Sequence, residues 1–167
     1  AKWRQSDLSV IEMCLRTVSR WVSWTDISLV VNQAMLNALF EIAGQQSTSS
    51  SDSPEGKVRD AAIDTFTEIV GKKMKGADKI QLVVFLNLGN VVGQLIASPP
   101  LAELRATSNY DTDLAETVAK LVNNVVSDIV KILDTEAGDE TTRQRADEQL
   151  QVFVPHLLRF FSDEYDE

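Results

Sequence analysis

Apolar residues recur along this chain at spacings of three and four, and no stretch alternates with the two-residue period of a half-buried strand. Leu8, Ile11, Met13, Leu15, Val18 and Trp21 predict a helix to about Val22, with Ser6 as its N-cap and Asp7 placed to complement the helix dipole. Ser23, Trp24 and Thr25 read as a turn in which Thr25 caps a new start at Asp26. Helix then runs from Ile27 to Ala43, broken near Val31 and Asn32, and Gly44 closes it. The segment 45–56 is polar, serine-rich and proline-bearing, and is expected to be a flexible loop. Helix resumes over 57–71. After the turn 72–77, Asp78 is placed to cap a long apolar helix over 79–97, stopped by Ser98-Pro99-Pro100. A short helical turn at 101–105 and a polar linker at 106–111 precede an amphipathic helix over 112–133. Gly138 and Asp139 break that helix, and a last one spans 140–161, kinked or interrupted at Pro155.

Six main helices in three antiparallel pairs follow: 7–44, 57–98 and 112–162. Their starts are roughly 50 residues apart, near the 40–47 of HEAT-type repeats with longer loops. The fold class is therefore all-α. Helices as apolar as 80–97 need neighbours on more than one side, which a stacked α-solenoid of about three repeats supplies; a closed bundle fits the same pattern.

Charge changes the picture next. The chain has 167 residues and a formal net charge of -9, but residues 1–83 hold ten Lys/Arg and ten Asp/Glu, so the whole excess lies in 84–167. The second half repels phosphate and attracts basic protein surface; any phosphate contact belongs to the first. There, Lys72, Lys73, Lys75 and Lys79 place four ammonium groups at one inter-helix turn. They are candidate phosphate contacts, each adding to salt dependence through counterion release; a solvated turn favouring the preceding helix C-terminus is the plainer reading. The stretch holding Asp134, Glu136, Asp139 and Glu140, with Asp147 and Glu148 beyond, is a candidate surface for a basic protein, or a solubilising one.

No catalytic constellation stands out. His156 is the single histidine and sits among Val152, Phe153, Val154, Leu157 and Leu158, as a core or boundary residue does. One histidine and one cysteine provide neither a zinc shell nor a nucleophile–base pair, and Cys14, beside Met13 and Leu15, reads as packing. No metal ligand set and no cofactor fingerprint is visible. Gly89-x-x-x-Gly93 fits close helix packing in a chain with no apolar run of membrane-spanning length, so no membrane insertion is expected. The lone cysteine favours a reducing compartment. The missing initiator Met and the acidic end at Asp163–Glu167 read as a piece of something longer.

The segment Arg20-Trp21-Val22-Ser23-Trp24-Thr25-Asp26-Ile27-Ser28-Leu29-Val30-Val31-Asn32 resembles a stretch of the exportin-T family, within the karyopherin superfamily. Leu39–Gly44, Ala61–Val70 and the turn Lys72–Leu82 look like its continuation. The resemblance implies about three HEAT repeats from the N-terminal half of a nuclear export receptor for mature tRNA. Such a receptor binds tRNA cooperatively with Ran-GTP, meets nucleoporins and shuttles between nucleus and cytoplasm. It is not an enzyme and holds no cofactor, since GTP is bound by Ran. The superfamily's best-known Ran surface lies in earlier repeats, so the resemblance transfers no contact residue. Trp24 is expected to pack the turn and Asp26 to cap. The competing readings are another karyopherin carrying protein cargo and an unrelated all-helical interaction domain.

Overall fold

Helix ends in this chain fall where side chains or tight turns meet the free backbone groups. In the computed structural model, which describes residues 7–45, 48–102, 108–135 and 139–162, every regular element is a helix. They are α1 (Leu8–Trp21), α2 (Ile27–Val30), α3 (Gln33–Gln45), α4 (Pro54–Gly71), α5 (Gly76–Leu86), α6 (Leu88–Ala97), α7 (Pro99–Ala102), α8 (Thr112–Thr135) and α9 (Glu140–Ser162).

The caps correct several expected boundaries. Asp7 caps α1, accepting from the Ser9 amide at 2.8 Å, whereas Ser6 lies outside the described residues. Asp26, not Thr25, caps α2; the Thr25 hydroxyl donates back to the Trp21 carbonyl at 2.9 Å. α4 starts at Pro54, three residues early, because Ser53 accepts from the Gly56 amide at 3.0 Å and Pro54 suits the first helical turn. α5 begins at Gly76, before Asp78. The long helix over 79–97 is two helices bent by 47°: Asn87, at φ 47° and ψ 40°, takes the left-handed conformation that asparagine tolerates best after glycine. Pro155 does not interrupt α9.

The helices form two layers. One holds α1, α4 and α8, with α4 packed on α1 and on α8; the other holds α3, the bent α5–α6 pair and α9. Within a layer, neighbours run parallel. Arg16 on α1 meets Asp64 on α4 at 3.3 Å, and one helical stretch later Lys72 reaches the Val22 carbonyl, so contacts advance together along both chains. Between α4 and α8 the same holds: Arg59 lies 3.8 Å from Asp111 near the starts, and Lys79 joins the Val70 carbonyl to Asp128 near the ends. Between α6 and α9, Gly89 lies against Val152 and Gly93 against His156. Parallel stacking of equivalent helices is what repeats of a solenoid do; the three-pair, all-α reading of the sequence stands.

The core is one apolar cluster between the layers. Phe66, Ile63, Leu39, Leu86, Leu88, Leu95, Leu114 and Phe153 are fully enclosed. The G-x-x-x-G stripe serves close packing, since a Cβ at Gly89 would come within 2.5 Å of Val152 Cγ1. Cys14, expected inside, is exposed on α1. Trp24 is likewise 82% exposed rather than packed, because other groups hold its turn.

The described part of the serine-rich loop, residues 48–53, is tied down. Arg59, with no exposed surface, donates to the Ser49 carbonyl, to Ser51 Oγ at 2.9 Å and to Asp60 at 2.8 Å. The Ser51 amide donates to Asp111 at 2.7 Å. Burial pushes the Asp60 carboxyl above its ordinary range despite Ser51 and Arg59. Burial also pushes Asp111 upward, but the Leu114 and Ser51 amides, the Ser51 hydroxyl and Arg59 together hold it below that range.

Gly56 fits only because it lacks a side chain: a Cβ would sit 1.8 Å from the Ser50 carbonyl oxygen. Gly56→Ala is expected to cost about 2–3 kcal/mol by forcing the loop off α4. A urea midpoint unchanged from the parent chain would contradict that packing.

Candidate functional site

The turn between α4 and α5 gathers the four lysines singled out by sequence, and the structure splits them into two pairs. Lys72 follows the last residue of α4 in an extended conformation. Its Nζ donates to the carbonyls of Val22 at 2.8 Å, Ser23 at 3.2 Å and Thr25 at 2.6 Å. These carbonyls close α1 and the turn into α2, so one ammonium group answers three acceptors at the negative end of a helix dipole. Lys72 also acts on Asp26, the cap of α2: after hydrogen bonds from the Ser28 hydroxyl and amide, Lys72 lowers the Asp26 carboxyl further.

Lys79 is 6% exposed. Its Nζ donates to the Val70 carbonyl, to the Lys72 carbonyl at 2.6 Å and to Asp128 Oδ2 on α8 at 3.3 Å. Burial pulls its ammonium below the ordinary lysine range and Asp128 pulls the other way. The expectation of four ammonium groups open to a phosphate is therefore corrected: Lys72 and Lys79 are committed to protein oxygens, and Lys73 and Lys75 face solvent.

A residue the sequence reading missed joins the exposed pair. Lys131 on α8 lies 3.6 Å from Asp128, and both line, with Met74, Lys75, Gly76, Lys79, Ile132 and Thr135, a groove of about 330 Å³. Nothing in the linear sequence links it to the turn, since 52 positions separate it from Lys79. Beside the groove, α5 starts with no side-chain cap, and free amides at a helix start favour an anion.

The acidic candidates occupy the neighbouring α8–α9 connection. Asp134 and Glu140 are exposed. Asp139 is spent as the cap of α9, accepting from the Thr142 hydroxyl at 2.6 Å and amide at 3.2 Å, which hold its carboxyl below the ordinary range. Glu136 lies outside the described residues. Basic and acidic groups thus share one end of the α4–α8 layer, which limits how far the lysines alone draw a polyanion. Elsewhere, half-buried His156 stands edge-on to Phe153 at 6.3 Å. Among the described residues no cluster of three His, Cys, Asp or Glu side chains is placed to hold a metal ion. No single helix among them is long and apolar enough to cross a membrane.

Stacked parallel helices, paired between layers, define this chain as a piece of a HEAT-type repeat protein, and a family model described as Exportin 1-like protein matches residues 1–66. Over all 167 residues the chain is 64% identical to Exportin-T of Phaeosphaeria nodorum and 56% identical to Exportin-T of Emericella nidulans; over 165 residues it is 59% identical to Exportin-T of Sclerotinia sclerotiorum. It spans 16% of the length of each of these relatives. The chain belongs to the exportin-T family.

The division of the lysines predicts opposite mutational behaviour. Lys79→Met takes the ammonium donor from two carbonyls, leaves Asp128 with Lys131 alone, and is expected to cost about 1–3 kcal/mol. Lys73→Ala is expected to stay within about 0.5 kcal/mol of the parent chain. Equal thermal midpoints for the two variants would refute the assignment.

Proposed function

We propose that this chain works within an export receptor that carries mature transfer RNA out of the nucleus together with Ran-GTP. The observation that carries the reading is identity of 54–64% with Exportin-T proteins across essentially the entire chain. On this reading the chain supplies scaffold repeats rather than catalysis, needs no cofactor of its own and leaves GTP to Ran. The receptor meets nucleoporins in transit and shuttles between nucleus and cytoplasm.

A solenoid touches mainly its sequence neighbours, so small rotations between repeats add up to a change of curvature around a large ligand. Cooperation between tRNA and Ran-GTP then needs only that both prefer the same curvature, each strengthening the other by the same factor. Lys73, Lys75 and Lys131, grouped about the uncapped start of α5, are the side chains here suited to phosphate oxygens. Asp134 and Glu140, on the adjoining connection, suit a basic protein surface.

The test is made in a protein of the relatives' length. Replacing Lys73, Lys75 and Lys131 by alanine is expected to weaken tRNA binding and flatten its salt dependence by about two in log–log slope, from roughly 0.7–0.9 per phosphate contact. An unchanged slope removes the phosphate role. If the parent protein retains no tRNA in the presence of Ran-GTP, the receptor reading itself fails.

A further inference from the structure

The chain holds two Ser-Pro dipeptides, Ser53-Pro54 and Ser98-Pro99. Both serines share one backbone shape, φ -78° and ψ 153° at Ser53 against φ -74° and ψ 150° at Ser98, because a following proline disfavours the helical region. What separates them is the chain on either side. Ser98 closes α6, its hydroxyl donates to the Gln94 carbonyl at 2.7 Å, and Leu95, Pro100 and Leu101 around it are buried. Lifting that segment would open the core. Ser53 is half-buried at the end of a loop in which Thr48, Ser50 and Asp52 are exposed, and Pro54 after it is exposed too. Residues 48–53 carry no apolar side chain, so lifting them costs no core packing.

The loop is fastened through its serines. The Ser53 hydroxyl accepts from the Gly56 amide at 3.0 Å and donates to the Ser50 carbonyl at 2.6 Å. The Ser51 hydroxyl donates to Asp60 on α4 at 2.6 Å, and the Ser51 amide donates to Asp111 at the start of α8 at 2.7 Å. A phosphoryl group on Ser53 would act on this strap in two opposed ways. The positive end of the α4 dipole favours an anion beside its first turn, which keeps the helix start. The ester oxygen, however, has no proton left for the Ser50 carbonyl. About two added negative charges at neutral pH also stand beside Asp52 and Glu55, with Asp60 and Asp111 beyond Ser51. Against these carboxylates stand exposed Lys57 and buried Arg59, which already donates to Ser49, Ser51 and Asp60. Repulsion therefore falls on the loop rather than on the helix.

We infer that Ser53 is a phosphorylation site for a proline-directed serine/threonine kinase, and that its phosphate unfastens the strap 48–53 from α4 and α8 while α4 stays folded. In the transfer, the bond between the γ-phosphorus of ATP and the oxygen bridging to ADP breaks and the Ser53 Oγ–phosphorus bond forms. The hydroxyl proton goes to the base of the kinase and ADP leaves. The strap is one of the polar ties between α4 and the start of α8, so the modification changes how firmly two neighbouring repeats are joined, whatever the cargo.

A purified proline-directed kinase with Mg-ATP, acting on a protein of the relatives' length, provides the test. Phosphopeptide mass spectrometry compares Ser53, Ser98 and a synthetic peptide of residues 48–60, and deuterium exchange follows the amides of 48–53. Ser53 is expected to react within about ten-fold of the peptide and on the order of 100-fold faster than Ser98, since only its segment opens locally. Phosphorylation is then expected to speed exchange over 48–53 on the order of ten-fold and to leave 58–70 unchanged, and Ser53→Ala abolishes the response. A peptide or a folded protein left unmodified at Ser53 overturns the site, as does equal modification of Ser98. Exchange over 48–53 that is unaltered by the phosphate overturns the switch.

Discussion

Two lysine side chains hold the ends of this stack in register. Lys72 places its ammonium on three carbonyls at the close of α1, and Lys79 places its own on two carbonyls around the close of α4 and on Asp128 of α8. Each thus ties the C-terminal end of one helix to the next repeat. Helix C-termini are where backbone acceptors run out of partners and where the dipole favours a cation. A buried ammonium is costly alone; here it is tolerated because every contact is an oxygen that also needed a donor. The parallel α1–α4–α8 layer, and with it the pairing of the second layer, depends on these ends meeting.

The opposite end of the layer has an equivalent device built from one arginine. Arg59 gathers Ser49, Ser51, Asp60 and Asp111 between the loop, α4 and the start of α8. With lysines at one end and an arginine at the other, α4 is anchored at both, while the apolar cluster fills the space between. Neighbour-to-neighbour ties of this sort fasten each repeat to the next through a few polar contacts near the helix ends.

Much of this was legible in the sequence. Apolar spacing gave the helices and their order, Gly71 and Pro99-Pro100 marked stops, and the family resemblance rested on residues 20–32. What was not legible depends on distance along the chain. A lysine at a turn reads as solvated unless one knows that the carbonyls of Val22 and Thr25 lie beside it, 47–50 positions earlier. Lys131 joined the basic group for the same reason, from the other direction. Asn87 broke an apolar run whose two glycines, Gly89 and Gly93, lie inside the second helix rather than at the bend, by a left-handed turn that asparagine tolerates. Trp24 looked like a packing residue because it is large, yet Lys72 and Thr25 already hold its turn and leave the indole outside.

The claim on which the account rests is that one lysine turn contains two structural cations and two free ones. Residue-resolved acetylation of the native protein at limiting reagent, read by mass spectrometry, tests it directly. Lys73 and Lys75 should be modified at the rate of exposed surface lysines, and Lys72 and Lys79 should remain largely unmodified until the protein unfolds. Equal modification of all four would show that the ammonium groups do not clamp the helix ends, and the account of how the repeats are held would be wrong.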